Sequence, residues 1–337
     1  MRQPDFNNIL KVLDCKIPSR PTLFEFFLND TLYRKLAGSE ISNMTDRLAY
    51  YRFLIHAFKN GGYDYATMHG SSFGFQSGQR NRANTVSLNE GHVISDRCSF
   101  EKYSWPNPEN YDYSMLGDIE DELPDGMKLI VCGPGGVLEN VISLIGYDNL
   151  CFMLYEDPEL TRDIFDAVGS RLLRYYEICG SFNTVGALIS NDDWGFKTQP
   201  MLTPQQLRQY VFPWHKRIVE AIHLVGKPAI LHSCGNFDSI MEDVIEDLKY
   251  DGKHSYEDNI LPVEEAYERF GDRISILGGI DLDFVCRSKP EEVRKRSIEM
   301  LKRAEKRGGY ALGTGNSVPE FVPAENYFAM ISAIYEE

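Results

Sequence analysis

No stretch of this chain stays apolar for about 18 residues, the length a membrane-spanning helix needs, so no spanning segment is expected. Nor does it open like a secretory leader, because MRQPDFNNIL is polar and interrupted by Pro4. Basic charge is scarce: 35 Lys and Arg against 50 Asp and Glu leave a net charge of −15. The basic residues form no cluster away from ordinary helix faces, and a nucleic-acid binder needs one. An acidic surface also disfavours polyanionic partners and membranes. The seven cysteines, Cys15, Cys98, Cys132, Cys151, Cys179, Cys234 and Cys286, are odd in number and scattered. That excludes a disulfide framework and fits a reducing cytosol. No Gly-x-Gly-x-x-Gly follows the first apolar run, and Gly133-Pro134-Gly135-Gly136 reads as a tight turn rather than a phosphate cradle. Low-complexity tracts and linkers are missing, so residues 1–337 are expected to form one domain.

What is present is enough apolar sequence for a sizeable core, 43% against 25% charged, arranged as short runs alternating with amphipathic stretches. Eight runs read as strands: PTLFEFFL from Pro21, YDYATMHG from Tyr63, KLIVCGPGG from Lys128, TVGALISNDDWG from Thr184, PAILHSCGN from Pro228, YDGKHSYED from Tyr250, RISILGGID from Arg273 and YALGTGNSVP from Tyr310. Between them lie helix starts. Asp157-Pro158 and Thr203-Pro204 each place a capping side chain before a proline. Ile164, Phe165, Val168, Leu172 and Leu173 share one helical face. Ser288 and Pro290 open a helix that stops at Gly308-Gly309. Pro213 should kink the segment from Pro204 to Val225. Eight strand–helix units predict a closed (β/α)8 barrel, an α/β fold, with a doubly wound open sheet as the second possibility. An extra N-terminal helical segment is expected from Asn43 to Phe58, and the long stretch from Ser71 to Met127 should form a lid or an interface.

In a barrel the carboxyl ends of the strands line the active site. Those ends offer Glu25, His69, Cys132, Asp192, Asp193, His232, Cys234, His254, Glu257, Asp281 and Asn316. His232 and Cys234 are the sharpest pair, because strand residues two apart face the same side and imidazole and thiolate both ligate zinc. Their softness argues against magnesium or calcium, and Gly235 allows the strand a sharp exit. A bare His-x-Cys elsewhere would read as a core histidine beside a small buried cysteine. Asp192 and Asp193 could ligate metal, hold a water or cap the next turn. Trp194 could wall a substrate or simply pack, and Asp281 could bind substrate or cap a helix. His69 and His254 read as structural hydrogen-bonders more than catalysts. Asn316 sits among glycines that let backbone approach a ligand.

Six segments in order resemble the uroporphyrinogen decarboxylase superfamily, and within it the corrinoid-dependent methyltransferase branch. They are SFEKYSWPNPENY, GGVLENVISLIGYDNLCFMLYEDPELTRDIFDAV, SNDDWGFKTQPMLTPQQLRQYVFPWHKRIVEAI, AILHSCGNFDSIMEDVIE, ISILGGIDLDFV and GNSVPEFVPAENYFAMI. The resemblance implies a (β/α)8 barrel and a zinc ion held by His232 and Cys234. In thiol-methylating members a third ligand is a cysteine in a Pro-Gly-Cys-Gly segment, and counting back from Pro323 places Asn316 there. Asp193, or else Cys132, is then the replacement ligand, with Asp193 preferred. Decarboxylases of the superfamily carry an arginine-rich N-terminal motif, for which IPSRPTLFEFFLND offers only Arg20. No Asp-x-His-x-x-Gly cobalamin-binding sequence occurs, so cobalamin would arrive on a separate corrinoid protein. The expected activity is methyl transfer between a small molecule and that corrinoid, leaning to demethylation of a methoxylated aromatic. His232, Cys234 and Asp193 would be metal-binding and catalytic, while His69, Asp192, Trp194, Asp281 and Asn316 would orient the donor. Thiol methylation, a decarboxylase-like lyase and a non-catalytic binding subunit are the alternatives. A cytoplasmic homodimer is the default setting.

Overall fold

A computed structural model describes residues 2–38, 48–78 and 87–335. Among these, seven parallel strands stand side by side in sequence order: β1 (Tyr65–His69), β2 (Lys128–Cys132), β3 (Val185–Asn191), β4 (Ala229–His232), β5 (Gly252–His254), β6 (Ser275–Leu277) and β7 (Tyr310–Ala311). Helices separate them, and the curled sheet is a TIM-barrel-like α/β fold. Leu129, Ile130, Val131, Ala187, Leu188, Ile189, Ile230 and Leu231 are fully buried, as expected for strands covered on both faces. Burying each large apolar side chain contributes roughly 1.5–3 kcal/mol.

The first expected strand differs. The run from Pro21 makes one parallel bridge, Leu23 to Leu312, with Phe24 N donating to Leu312 O at 2.8 Å and Leu312 N to Thr22 O at 2.9 Å. Toward β1 it uses side chains instead of a ladder. Glu25 N donates to the Tyr65 hydroxyl at 2.6 Å, that hydroxyl donates to Glu25 O at 2.9 Å, and Thr67 Oγ1 reaches the same carbonyl at 3.3 Å. The run thus occupies the eighth place between β7 and β1, with a tyrosine standing in for strand pairing.

Helix Pro158–Gly180 starts where expected, with the Asp157 carboxylate accepting from Leu160 N. The segment expected to bend at Pro213 is irregular just before it. A turn at Pro204–Gln206 passes into a π-helical stretch, Leu207–Val211, and a new α-helix begins at Phe212. Pro213 then lies in a first turn, where its missing N–H leaves nothing unpaired. The early extra helix runs Ala49–Gly61; the start expected at Asn43 lies outside the described residues. In the long segment after β1, the described part near residues 97–111 lies along helix Pro158–Gly180. Arg171 Nε donates to Pro106 O at 3.0 Å, Arg174 Nε donates to Glu109 Oε1 at 2.7 Å, and Arg171 stacks 4.9 Å from the Trp105 ring. Residues 79–86 of that segment lie outside the described part. No single described helix is long and apolar enough to cross a membrane.

Candidate metal centre

β3 and β4 end beside each other, with Asn191 in register with His232. Two glycines then let the exiting chains touch. Gly235 has φ +93°, and a Cβ there would stand 2.2 Å from Gly195 O; one on Gly195 would stand 2.6 Å from Asn236 N. Backbone therefore meets backbone, and polar groups seal the contact. Cys234 N donates to Asp193 Oδ1 at 2.9 Å, Trp194 N donates to Ser233 Oγ at 3.1 Å, and Asn236 N donates to Phe196 O at 2.8 Å. The result is that ligand atoms of Asp193, His232 and Cys234 lie within 4.8 Å of one another.

The histidine lone pair is aimed by a second histidine. His254 Nε2 lies 3.1 Å from Thr314 O, which can only accept, so Nε2 carries the proton. Burial holds His254 down to about 3, so it is neutral and its Nδ1 is a bare acceptor. His232 Nδ1 stands 2.8 Å from that atom and must donate to it. His232 Nε2 is therefore left unprotonated, with its lone pair facing Cys234 Sγ at 3.9 Å. This is the outer-shell arrangement that fixes a metal-ligating imidazole.

The thiol is poised differently. Burial and the Asp193 carboxylate push the Cys234 thiol up to about 12, while Asn316 Nδ2 donates to Sγ at 3.2 Å. A buried thiol beside a carboxylate ionises at neutral pH only if a cation joins them. The donor set of one aimed imidazole, one sulfur and one carboxylate, with Asp193 Oδ1 already held by Cys234 N, fits a zinc-type ion.

The other expected site residues separate into two groups. His69 and Asn316 face the mouth: His69 is exposed at the end of β1, and Asn316 touches Cys234. Asp192 does not join the cluster. It is fully buried, accepts from Leu138 N and Glu139 N at 2.9 Å, and lies 2.8 Å from His215 Nε2. Those amides, with Gly136 N given to Glu139, are the donors a phosphate would have needed at the glycine-rich turn. Trp194 is likewise fully buried, edge-on to His215 at 4.7 Å and packed on Phe212 and Phe237. Asp281 caps helix Leu282–Arg287 through Phe284 N and also holds Asp258 N, both at 2.9 Å. Cys132 lies outside the cluster, against His69 Nδ1 at 3.3 Å.

Four further features were given no role by the sequence. A row of rings crosses the mouth: His69 to Phe27 at 5.4 Å, Phe27 to Phe26 at 4.4 Å, and Phe26 to His232 at 4.4 Å. Glu25 is fully buried, with Oε1 accepting from Thr314 N and Oε2 2.6 Å from Thr314 Oγ1. That hydroxyl also meets Asn316 O at 2.6 Å. One hydroxyl proton cannot serve both, so Glu25 donates as a carboxylic acid; burial accordingly raises it to about 8. Lys253 is buried behind β5, held down to about 8 by desolvation. A lysine inside a buried strand was a visible signal, since lysine is almost never fully buried without a partner. An open groove of about 820 Å³ runs from Asn316 past Glu257 and Asp281 to Arg287.

The family model described as uroporphyrinogen decarboxylase (URO-D) matches residues 91–337. The chain belongs to this family. A uroporphyrinogen decarboxylase of Anaeromyxobacter dehalogenans (strain 2CP-C) is 24% identical over 253 residues, covering 73% of this chain and 70% of that one. Another, of Anaeromyxobacter sp. (strain Fw109-5), is 25% identical over 190 residues, covering 56% and 52%. Among solved structures, a methyltransferase from Methanosarcina mazei matches with a TM-score of 0.73 over 97% of both chains at 15% identity, a likeness of fold. Within this family member Arg20 is placed far from the mouth. It binds Asp64 Oδ1 at 2.5 Å, just before β1, at the amino end of the strands.

Proposed function

We propose that this protein is a zinc-dependent methyltransferase that takes the methyl group of a methoxylated aromatic and passes it to a corrinoid carried on a separate protein. The observation that carries the reading is the convergence of His232, Cys234 and Asp193 within 4.8 Å at the barrel mouth. Bound by these three residues, zinc would supply Lewis acidity that makes a methyl-bearing oxygen a better leaving group. The chain's own residues do the rest. His254 fixes the His232 tautomer, and the Gly195–Gly235 contact fixes the spacing of Asp193 and Cys234. Phe27, backed by the buried Phe26, offers an apolar flank to an aromatic ring, and His69 stands at its far end.

Two further points favour this reading over thiol methylation and over decarboxylation. Asn316 stands where thiol-methylating relatives are expected to place a third cysteine, and its amide donates to Cys234 Sγ at 3.2 Å. Arg20, at the opposite end of the barrel, offers nothing to a polycarboxylate at the mouth. The chain has no cobalamin-binding motif, so the corrinoid protein would dock over the mouth and its adjoining groove. We place the reaction in the cytosol, where seven scattered thiols remain reduced.

The test supplies the zinc-loaded protein with a corrinoid protein in the Co(I) state and a set of methoxybenzoates and methoxyphenols. Demethylated phenol and methylated corrinoid are expected in equal amounts. No demethylation, together with decarboxylation of uroporphyrinogen by the same preparation, would overturn the reading.

A further inference from the structure

Lys253 lies at the middle of β5, where strand alternation turns its side chain away from the barrel interior that His254 faces. Its environment is unusual for an ammonium. Nζ donates to Ser255 O at 2.8 Å and to Ser233 O at 3.3 Å, and it stands 4.3 Å from the Phe237 ring and 4.4 Å from the Tyr256 ring. No carboxylate pairs with it among the described residues. Ser233 is the peptide between His232 and Cys234, and Ser255 follows His254. Ser233 N is itself bound to His254 O at 2.9 Å. Both peptides between His232 and Cys234 are thus held: the first through Ser233 N by the strand ladder, the second through Ser233 O by Lys253 and through Cys234 N by Asp193. Asp193 and Glu257 are the carboxylates that bear on the ammonium, and Cys234 joins them once its thiol is ionised. Two of those are the negative ligands of the metal centre.

We propose that Lys253 is a positioning residue of the metal centre, clamping the Ser233 peptide between His232 and Cys234 and setting a buried positive charge behind the thiolate and carboxylate ligands. This rests on the metal reading above. An uncompensated charge in a low-dielectric wall is expensive, and it is worth keeping where it offsets two neighbouring anions. The ring contacts make the ammonium tolerable without pairing it, so its field stays available to the ligands.

The test compares wild type, Lys253→Met and Lys253→Gln. Zinc affinity is measured by competition with a chromophoric chelator, the Co(II)-substituted proteins are compared by absorption spectrum, and melting of the metal-free proteins is recorded. Lys253→Met, which loses both bonds and charge, should lose about tenfold or more in affinity, the scale of outer-shell effects at metal sites. Its Co(II) bands should shift, while the metal-free protein melts no lower than wild type. Lys253→Gln, keeping a donor without the charge, should fall between, and it decides the matter if the methionine variant does not fold. Unchanged affinity and spectrum in both variants overturns the proposal, and so does failure of both to fold, which assigns Lys253 a purely structural role. A wild type that takes up no metal overturns the metal reading as well; metal bound equally in wild type and variants overturns only the role of Lys253.

Discussion

Two thiol–imidazole pairs stand at strand ends among the described residues, and one of them gathers a third candidate ligand atom within 4.8 Å. His69 and Cys132 sit across neighbouring strands in direct register, with Sγ 3.3 Å from Nδ1. His232 and Cys234 sit on one strand end, with Sγ 3.9 Å from Nε2. In the first pair the thiol is fully buried and donates to Met68 O, with His69 Nδ1 3.3 Å from the sulfur. Among the described residues no third candidate ligand joins this pair. In the second pair a histidine relay frees an imidazole nitrogen, and Asp193 closes the third side. Residue type alone does not make a metal site; the hydrogen bonds that decide where lone pairs point do.

That contrast can be broken. The largest expected effect is Cys234→Ala, which should abolish stoichiometric metal, while Cys132→Ala should leave it intact; metal analysis after dialysis checks both. Next is Gly235→Ala. A methyl group at φ +93°, 2.2 Å from Gly195 O, should cost on the order of 3 kcal/mol and lower the melting temperature sharply, with or without metal. His254→Phe keeps a ring, though a larger one, and removes the acceptor for His232 Nδ1. It should weaken zinc about 10–100-fold, read by chelator competition, and lower metal-free melting less than Gly235→Ala does.

The smallest effect concerns Glu25. Its value of about 8 lies above the ordinary 4.5, so the folded state keeps a proton the unfolded state has released between those values. Stability contributed by the neutral acid should therefore fall as pH rises through that window. Glu25→Gln should flatten the decline, melting closer to its low-pH value above pH 8 than wild type does. A parallel decline in both proteins would mean that Glu25 is not the titrating group.

Much of this was legible in residues. Strand parity placed His232 and Cys234 on one side, and seven of the eight expected strands lie where short apolar runs end in polar residues. The eighth was obscured because Tyr65 replaces ladder pairing with a side chain, which no periodicity reveals. The Asp192–Asp193 pair could not be divided by sequence. Only the course of helix Val137–Ile145 shows that Asp192 caps it while Asp193 turns toward Cys234. The His254–His232 relay was hidden for a similar reason. It depends on the β4–β5 register, His232 beside His254, and on a carbonyl of Thr314 sixty residues away.

The central claim, that lone-pair direction rather than composition selects the metal centre, is tested most directly by the absorption of the Co(II)-substituted protein. The account predicts a sulfur-to-cobalt charge-transfer band of one thiolate, lost in Cys234→Ala and unchanged in Cys132→Ala. A band that survives Cys234→Ala and disappears in Cys132→Ala would contradict it.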